Sequence, residues 1–427
     1  MDDAHSLMQD EWQRALAKDQ AKATELFGHS EEEQRRLGYF HTIREICQQP
    51  WTWLRTCDRM LDSRDGLNED LKGIHSLALT GSGSSEYAGE CVRFPLQNAL
   101  GIPTESISGG ALLMYGGKAL PPGRPGVLVS VARSGDSPES SGAVELLLST
   151  EPQIRHIVVT CNEHGRLARA WHETKNVRVI TLPSETLDKS LVMTSSFTNL
   201  LLAVRFLGML ERANEYRALC ERLGQIASEL LRSKFDTLGR IGAADFRRAV
   251  FLGSGSRFAA SREAALKMLE LTAGRVTTVC ETYLGFRHGP MSYVHDDTLV
   301  VCHLSSDRTI RAYELDLLRE LDRKRLGLLK VIVGENIPDS AVRNGDEVIE
   351  CRGLSELGED DDLAIHVVVA QLLAFFRCLE EGLLPDSPSE EGIINRVVEK
   401  FPLHASFMKH PLDRDGSAPR KNGKSNK

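Results

Sequence analysis

The sequence predicts an α/β protein of two tandem domains, each a parallel sheet flanked by helices, behind a helical N-terminal extension. Two observations predict it. From His75 onward, short apolar runs end in Gly/Ser-rich turns and pass into amphipathic stretches, the alternation that builds a parallel sheet with helices on its faces. The series then returns. Gly253-Ser254-Gly255-Ser256 lies 172 residues after Gly81-Ser82-Gly83-Ser84, Leu299 stands 172 residues after Val127, and Val331-Ile332-Val333 follows Val158-Val159-Thr160 at 173. Three strand-and-loop units in one order at a nearly constant interval mark an internal duplication.

Residues 1–50 form the extension: Ser30 and Glu33 have capping-box spacing, and a helix should end before Gln48-Gln49-Pro50. Such a segment suits packing or an oligomer contact. The first domain, residues 51–230, holds strands at Ser76-Leu77-Ala78-Leu79, Val127-Leu128-Val129-Ser130-Val131, Ile157-Val158-Val159-Thr160 and Val177-Arg178-Val179-Ile180. The first strand runs into a turn at residues 80–85 and a helix to about Leu100, and long helices across residues 195–240 lead onward. The second domain, residues 231–385, repeats the pattern with Ala249-Val250-Phe251-Leu252, Leu299-Val300-Val301-Cys302-His303 and Val331-Ile332-Val333, and a helix over residues 362–381 closes it. Residues 413–427, rich in Lys, Arg, Asn, Ser and Gly, are expected to be a disordered tail.

With 427 residues, 41% apolar and 26% charged, the chain has ordinary globular composition, which excludes collagen-like, mucin-like and disordered classes. The 52 basic against 60 acidic residues, net −8, argue against a nucleic-acid partner, whose affinity comes from neutralising phosphates. Nine scattered cysteines without a C-x-x-C pair suggest neither a disulfide framework nor a zinc site, and point to a reducing compartment. No charged segment followed by an apolar stretch opens the chain and no uninterrupted apolar run reaches membrane length, so a cytoplasmic protein without a membrane partner is expected.

In a parallel sheet the ligand lies beyond the carboxyl ends of the strands, so residues 81–85 and 133–137 face one crevice if their strands are neighbours. Ser137 is placed to cap a helix, Pro138 suits its first position and Glu139 its first turn, so helix-terminal N–H groups stand ready for an anion. Either loop alone is ordinary strand-to-helix chemistry; the two in one crevice favour a ligand, and a phosphate could sit there without several lysines. The commoner phosphate motifs fail. Gly81-x-Gly83-x-x-Glu86 and the turn from Gly255 to Phe258 lack the third glycine, and no Gly-Lys-Ser/Thr follows either, so neither dinucleotide nor P-loop binding is supported.

Further on, residues 262–271 read as a helix with Glu263, Lys267 and Glu270 on one face and Ala264, Ala265, Met268 and Leu271 on the face that holds it down. Taken alone, such a stripe reads as a solvated ion-pair face, with a cleft as the second possibility. Then comes Gly285-Phe286-Arg287-His288-Gly289-Pro290, whose histidine sits in a constrained loop. Imidazole suits proton transfer near neutral pH, although a lone histidine is more often structural.

These motifs, in this order and together with Ala-Arg-Ser-Gly-Asp-Ser-Pro-Glu-Ser at 132–140 and Met-Thr-Ser-Ser-Phe-Thr at 193–198, resemble sugar isomerase (SIS) domains. Jointly they resemble the tagatose-6-phosphate ketose/aldose isomerase family, whose members are also described as galactosamine-6-phosphate deaminases, over residues 35–405. A more distant likeness is to the isomerase half of glucosamine-6-phosphate synthase, without its glutaminase half. The resemblance implies two tandem SIS domains with flavodoxin-like parallel sheets, and a C-terminal active-site segment at residues 386–412. It implies a phosphate cradle of Ser84, Ser85, Arg133, Ser134 and Ser137, an enolisation base at Glu270 with Lys267 on the same helix, and a ring-opening His288 supplied by the neighbouring subunit. Thr194 falls in a loop near the sugar, and Arg396 in the C-terminal segment. Ala132 and Arg133 stand where the synthase has Ser and Gln, and Asn395-Arg396 where it has a C-terminal lysine.

The implied reaction is deaminating isomerisation of galactosamine 6-phosphate to tagatose 6-phosphate and ammonia, through ring opening and an enolamine. It needs no metal or other cofactor, and it is carried out by a homodimer or larger homo-oligomer with a shared site. A carboxylate base serves simple aldose–ketose isomerisation equally well, and the residues do not separate galacto from gluco substrates. Two non-enzymatic functions also stay open, a non-catalytic sugar-phosphate sensor and a transcription regulator, though residues 1–50 are too short and not basic enough for a helix-turn-helix.

Overall fold

Two five-stranded sheets, all of whose strand pairs are parallel, carry the chain. The first comprises β1 (Ser76–Gly81), β2 (Thr104–Ser108), β3 (Gly126–Ala132), β4 (Ile154–Thr160) and β5 (Val177–Thr181), the second β6 (Arg248–Leu252), β7 (Thr277–Glu281), β8 (Thr298–His303), β9 (Leu329–Gly334) and β10 (Glu347–Glu350). The first sheet runs β2-β1-β3-β4-β5 and the second β7-β6-β8-β9-β10, the same doubly wound order twice. This computed structural model describes residues 15–404 apart from 17, 390 and 400. The expected tail at 413–427 and the end of the 386–412 segment lie outside the described residues.

Most strands legible in the sequence are buried along their length: β1, β3 and β8 are buried at every position, so each reads as an apolar run, and the half-buried edge strand β5 is legible through its Val-x-Val-Ile pattern. Three others, β2, β7 and β10, were not anticipated. Each is a sheet edge, largely half-buried and rich in Thr, Ser and Glu, so its sequence carries little apolar signal.

The helices α1 (Ala21–Gly28), α2 (Glu31–Arg36), α3 (Phe40–Cys47), α4 (Gln49–Asp62) and α5 (Arg64–Leu71) precede the first strand. The helical region thus continues past the expected boundary at residue 50. Ser30 caps α2, its hydroxyl accepting the Glu33 N–H at 3.2 Å, but Glu33 turns its carboxylate to Arg36 rather than completing the box. The predicted stop at residue 48 is a junction: α3 ends at Cys47 and α4 restarts with Pro50 in its first turn, where a missing N–H costs nothing.

Between and after the strands come α6 (Ser84–Leu100), α7 (Gly109–Tyr115), α8 (Pro138–Thr150), α9 (Arg166–Arg169), α10 (Ser195–Arg205), α11 (Ala213–Gly242), α12 (Ser256–Leu271), α13 (Arg308–Lys324) and α14 (Leu363–Glu380). By length and composition α14 could cross a membrane, but it is packed inside the protein against α11 and α12. Its polar side chain Gln371 is satisfied there, accepting from Gln49 at 2.8 Å and donating to the Thr194 carbonyl at 3.0 Å. Gln49 in turn accepts from Thr198 at 2.6 Å, and Thr198 accepts the Trp53 indole N–H at 2.9 Å, so α4, α10 and α14 share one buried polar chain.

Phe235 of α11 lies edge-on to Phe376 of α14 at 5.1 Å, and both are buried. Phe235→Ala should lower stability by about 3–5 kcal/mol through lost contacts and the remaining cavity, read as a reduced unfolding midpoint in a denaturant titration.

Candidate active site

Strands β1 and β3 are hydrogen-bonded neighbours, so the turns leaving them do face one crevice. It is a cavity of about 580 Å³. Ser82, Ser84 and Ser85 enter from the turn into α6 and its start, Arg133, Ser134 and Ser137 from the loop into α8, Ser140 from the first turn of α8, and Glu270 from the last turn of α12. Two helix N-termini therefore point partial positive charge and unpaired N–H groups at one space, a ready anion site.

Several hydroxyls are left free for a ligand. Ser137 occupies the expected cap position of α8, with Pro138 first in the helix, but its side chain makes no capping bond. Ser85 has only a 3.8 Å contact to the sulfur of Met193, and Ser134 accepts the Asp136 N–H at 3.3 Å. Ser84 is committed differently from the expected cradle role: its oxygen accepts from Lys267 Nζ at 3.1 Å.

The charged stripe on α12 is not a solvated face. Lys267 and Glu263 are wholly buried, and the ammonium lies 2.5 Å from Glu270 and 3.4 Å from Glu263. Burial alone would pull the Lys267 pKa down, but the two carboxylates outweigh it and hold the group above its usual value. Burial raises Glu263 to about 7, against the pull of Lys267. Only Glu270 reaches the cavity, with its side chain 24% exposed. The arrangement is a carboxylate open to the crevice and backed by a buried cation.

Arg133 and Arg396 also line the cavity, but their guanidinium groups grip backbone. Arg133 donates to the Leu191 carbonyl at 2.8 Å and the Arg396 carbonyl at 2.6 Å, while Arg396 donates to the Asp188 carbonyl. Two expected residues lie elsewhere. Thr194 is wholly buried behind the wall, its N–H held by Asp188 and its carbonyl by Gln371, and neighbouring Leu191 and Met193 form the lining instead. His288 is exposed in a 3₁₀ turn (Gly285–His288) and does not line the cavity of its own chain.

The residues that brace this wall carried no readable signal. Asp188 accepts the N–H groups of Thr194 and Ser196 at 2.7 and 2.9 Å and the Ser195 hydroxyl at 2.6 Å, fixing the start of α10. Glu45, in the N-terminal helix α3, accepts the Lys189 and Ser190 N–H groups and bonds the Ser190 hydroxyl. In a sequence, Glu45 and Asp188 look like surface acids.

No protein-family model matches the chain. The D-galactosamine-6-phosphate deaminase AgaS of Escherichia coli is 34% identical over 370 residues, 85% of this chain and 95% of the relative. A provisionally named D-galactosamine-6-phosphate deaminase of Streptomyces coelicolor is 36% identical over 376 residues, covering 86% and 95%. The structure of a provisionally assigned tagatose-6-phosphate ketose/aldose isomerase from Clostridium novyi NT superposes with a TM-score of 0.82 at 32% identity, covering 89% of this chain and 99% of that one. Fold and site together define a phosphosugar isomerase of the tandem SIS class. Within that class the chain belongs to the D-galactosamine-6-phosphate deaminase AgaS family.

Burial, with repulsion from Asp188 second, pushes the Glu45 carboxyl up to about 8. A carboxyl that holds its proton more tightly folded than unfolded costs stability as pH rises from its ordinary value, about 4.5, to its folded value. Glu45→Gln keeps an acceptor for both N–H groups and cannot titrate. The parent should lose stability relative to this variant between pH 4.5 and 8, read from paired melting curves; a constant difference would contradict the assignment.

Proposed function

We propose that this chain converts galactosamine 6-phosphate and water to tagatose 6-phosphate and ammonia. The observation that carries the reading is the Lys267–Glu270 pair, presented to a serine-lined cavity at two helix N-termini. Phosphate bound by the free hydroxyls and N–H groups of the α6 and α8 turns places C1 and C2 of the opened sugar toward Glu270. Glu270 removes the C2 proton, and Lys267 stabilises the charge that develops on the enolamine. Return of the proton to C1 leaves an imine at C2, which water hydrolyses to the ketose and ammonia. Each step is a proton transfer or a hydrolysis, so neither a metal nor a nicotinamide enters.

The ring must first open, and a histidine, the side chain best suited to that proton transfer near neutral pH, is not among the described residues of this chain that line the cavity. His288 is exposed, as is Leu284 just before its turn, and this exposure supports the reading that it serves the cavity of a neighbouring subunit. The working unit is then a homodimer or larger homo-oligomer with a shared site. Nine unpaired thiols, eight of them buried, suit a cytoplasmic setting.

The deciding experiment is a panel of hexose and hexosamine 6-phosphates, with galactosamine itself, scored for ketose and ammonia together. Galactosamine 6-phosphate should yield both in equal amounts. Ser134→Ala should lower kcat/KM by roughly 10- to 100-fold, the equivalent of one lost charge-assisted hydrogen bond of about 1.5–3 kcal/mol. Equal turnover of unphosphorylated galactosamine would remove the phosphate from the reading.

Glu270→Gln should abolish both C2 proton exchange and product, whereas His288→Ala should mainly slow opening of the cyclic substrate. When the two variants exchange subunits, a mixed dimer with shared sites has one doubly altered and one intact site, so random mixing restores about a quarter of the parental activity. Mixed dimers verified by mass that recover nothing would place His288 in its own subunit's chemistry.

A further inference from the structure

The duplication builds the same crevice a second time. Strands β6 and β8 are neighbours, as β1 and β3 are, and the turns that leave them run into α12 and α13. The two leading turns coincide in detail: Gly83 has φ 57°, ψ −129° and Gly255 φ 56°, ψ −130°. Both conformations favour glycine, and each sets the first residue of a helix at the strand end. Yet the second crevice is filled by the protein's own side chains.

The filling group is the Glu359 carboxylate. One oxygen accepts the Ser305 hydroxyl at 2.5 Å and the Arg257 guanidinium, and the other accepts the Asp307 N–H, at the cap of α13, at 3.1 Å. A hydroxyl, a helix-terminal N–H and a guanidinium converging on carboxylate oxygens are the donors expected around a phosphate monoester. Arg257, almost wholly buried, stands 172 residues after Ser85, and its other nitrogen donates to Asp362 at 2.5 Å. The Ser306 hydroxyl, in the β8 turn, is buried without a partner. Glu359 itself keeps 32% of its side chain exposed, so it closes the crevice from the solvent side.

We propose that the second domain holds an oxyanion site of the phosphate-monoester class, which Glu359 keeps occupied, and that removing this carboxylate opens the site to inorganic phosphate. The chain's two equivalent crevices thereby differ in one respect: the first is open to an external anion, and the second carries an internal one. Truncation at residue 359 leaves the Ser305 hydroxyl without its acceptor, the Asp307 N–H with the Ser305 oxygen at 2.9 Å alone, and Arg257 with one carboxylate instead of two. These unmet donors draw an anion from solution.

The test titrates inorganic phosphate into full-length parent and Glu359→Ala by calorimetry, with melting curves in the same buffers. The variant should melt below the parent without phosphate, regain that loss as phosphate is added, and bind one more phosphate per chain than the parent. Because the readout is a difference between two proteins, it does not depend on what the first crevice binds. If the alanine variant does not accumulate in folded form, Glu359→Ser, which also removes the carboxylate but leaves a polar side chain at this partly exposed position, carries the same titration. Equal phosphate stoichiometry in variant and parent, or a phosphate-dependent rise in melting temperature no larger than the parent's, overturns the proposal.

Discussion

The site depends on burying one lysine. Lys267 belongs to the second domain, yet its ammonium bonds Ser84 at the start of the first domain's α6 while holding Glu270 at the rim of the first domain's cavity. Removing an ammonium from water is costly unless opposite charge and hydrogen bonds replace the lost hydration. Two carboxylates of α12 itself and one hydroxyl do so here, and the hydroxyl, with the burial around the ammonium, is supplied only while α12 lies against α6. The catalytic geometry and the packing of the two domains are therefore one constraint. A shift of α12 that freed Glu270 would strand a buried cation.

A second layer of buried acids performs the same service for the opposite wall. Asp188 and Glu45 gather N–H groups and hydroxyls at residues 189–196, and the carbonyls of that loop in turn receive Arg133. Asp386 extends the brace by accepting the N–H groups of His41 and Thr42 at 3.0 and 2.7 Å, and its own carbonyl receives the Leu191 N–H at 3.0 Å. The N-terminal helices thus act on the cavity through the loop they hold. Arg133 joins this loop to Arg396, so one guanidinium serves the C-terminal segment as well as the lining.

Duplication gave the protein two crevices with one backbone geometry, and side chains decided their fates. In the first, a serine follows the helix start and the cavity stays open; in the second, Arg257 stands there and brings in Glu359 and Asp362. The acidic run Glu359-Asp360-Asp361-Asp362 also ties the domains together, since Asp361 accepts Arg205 of α10 at 2.7 Å. One segment thereby fills a site and forms an interdomain contact.

The sequence by itself determined the tandem repeat, the central strands, the two crevice turns and the placement of Glu263, Lys267 and Glu270 on one helical face. These are local properties: a strand buried on both sides must be apolar throughout, a strand-to-helix turn needs glycine and serine, and helical spacing sets which residues align. Tertiary structure decided the rest. The edge strands β2, β7 and β10 carry few apolar residues and were silent, whereas the edge strand β5 keeps three apolar residues in five and was not. Whether the stripe on α12 faced water or protein depended on α6, which lies about 170 residues away in sequence. The same holds for Thr194, turned behind the wall by Asp188 and Gln371, and for Glu45 and Glu359, acids whose partners come from other elements. Periodicity reports which residues share a face, whereas the identity of the facing surface is set by long-range packing, and it is that surface which decides whether a charge is solvated, paired or made to work.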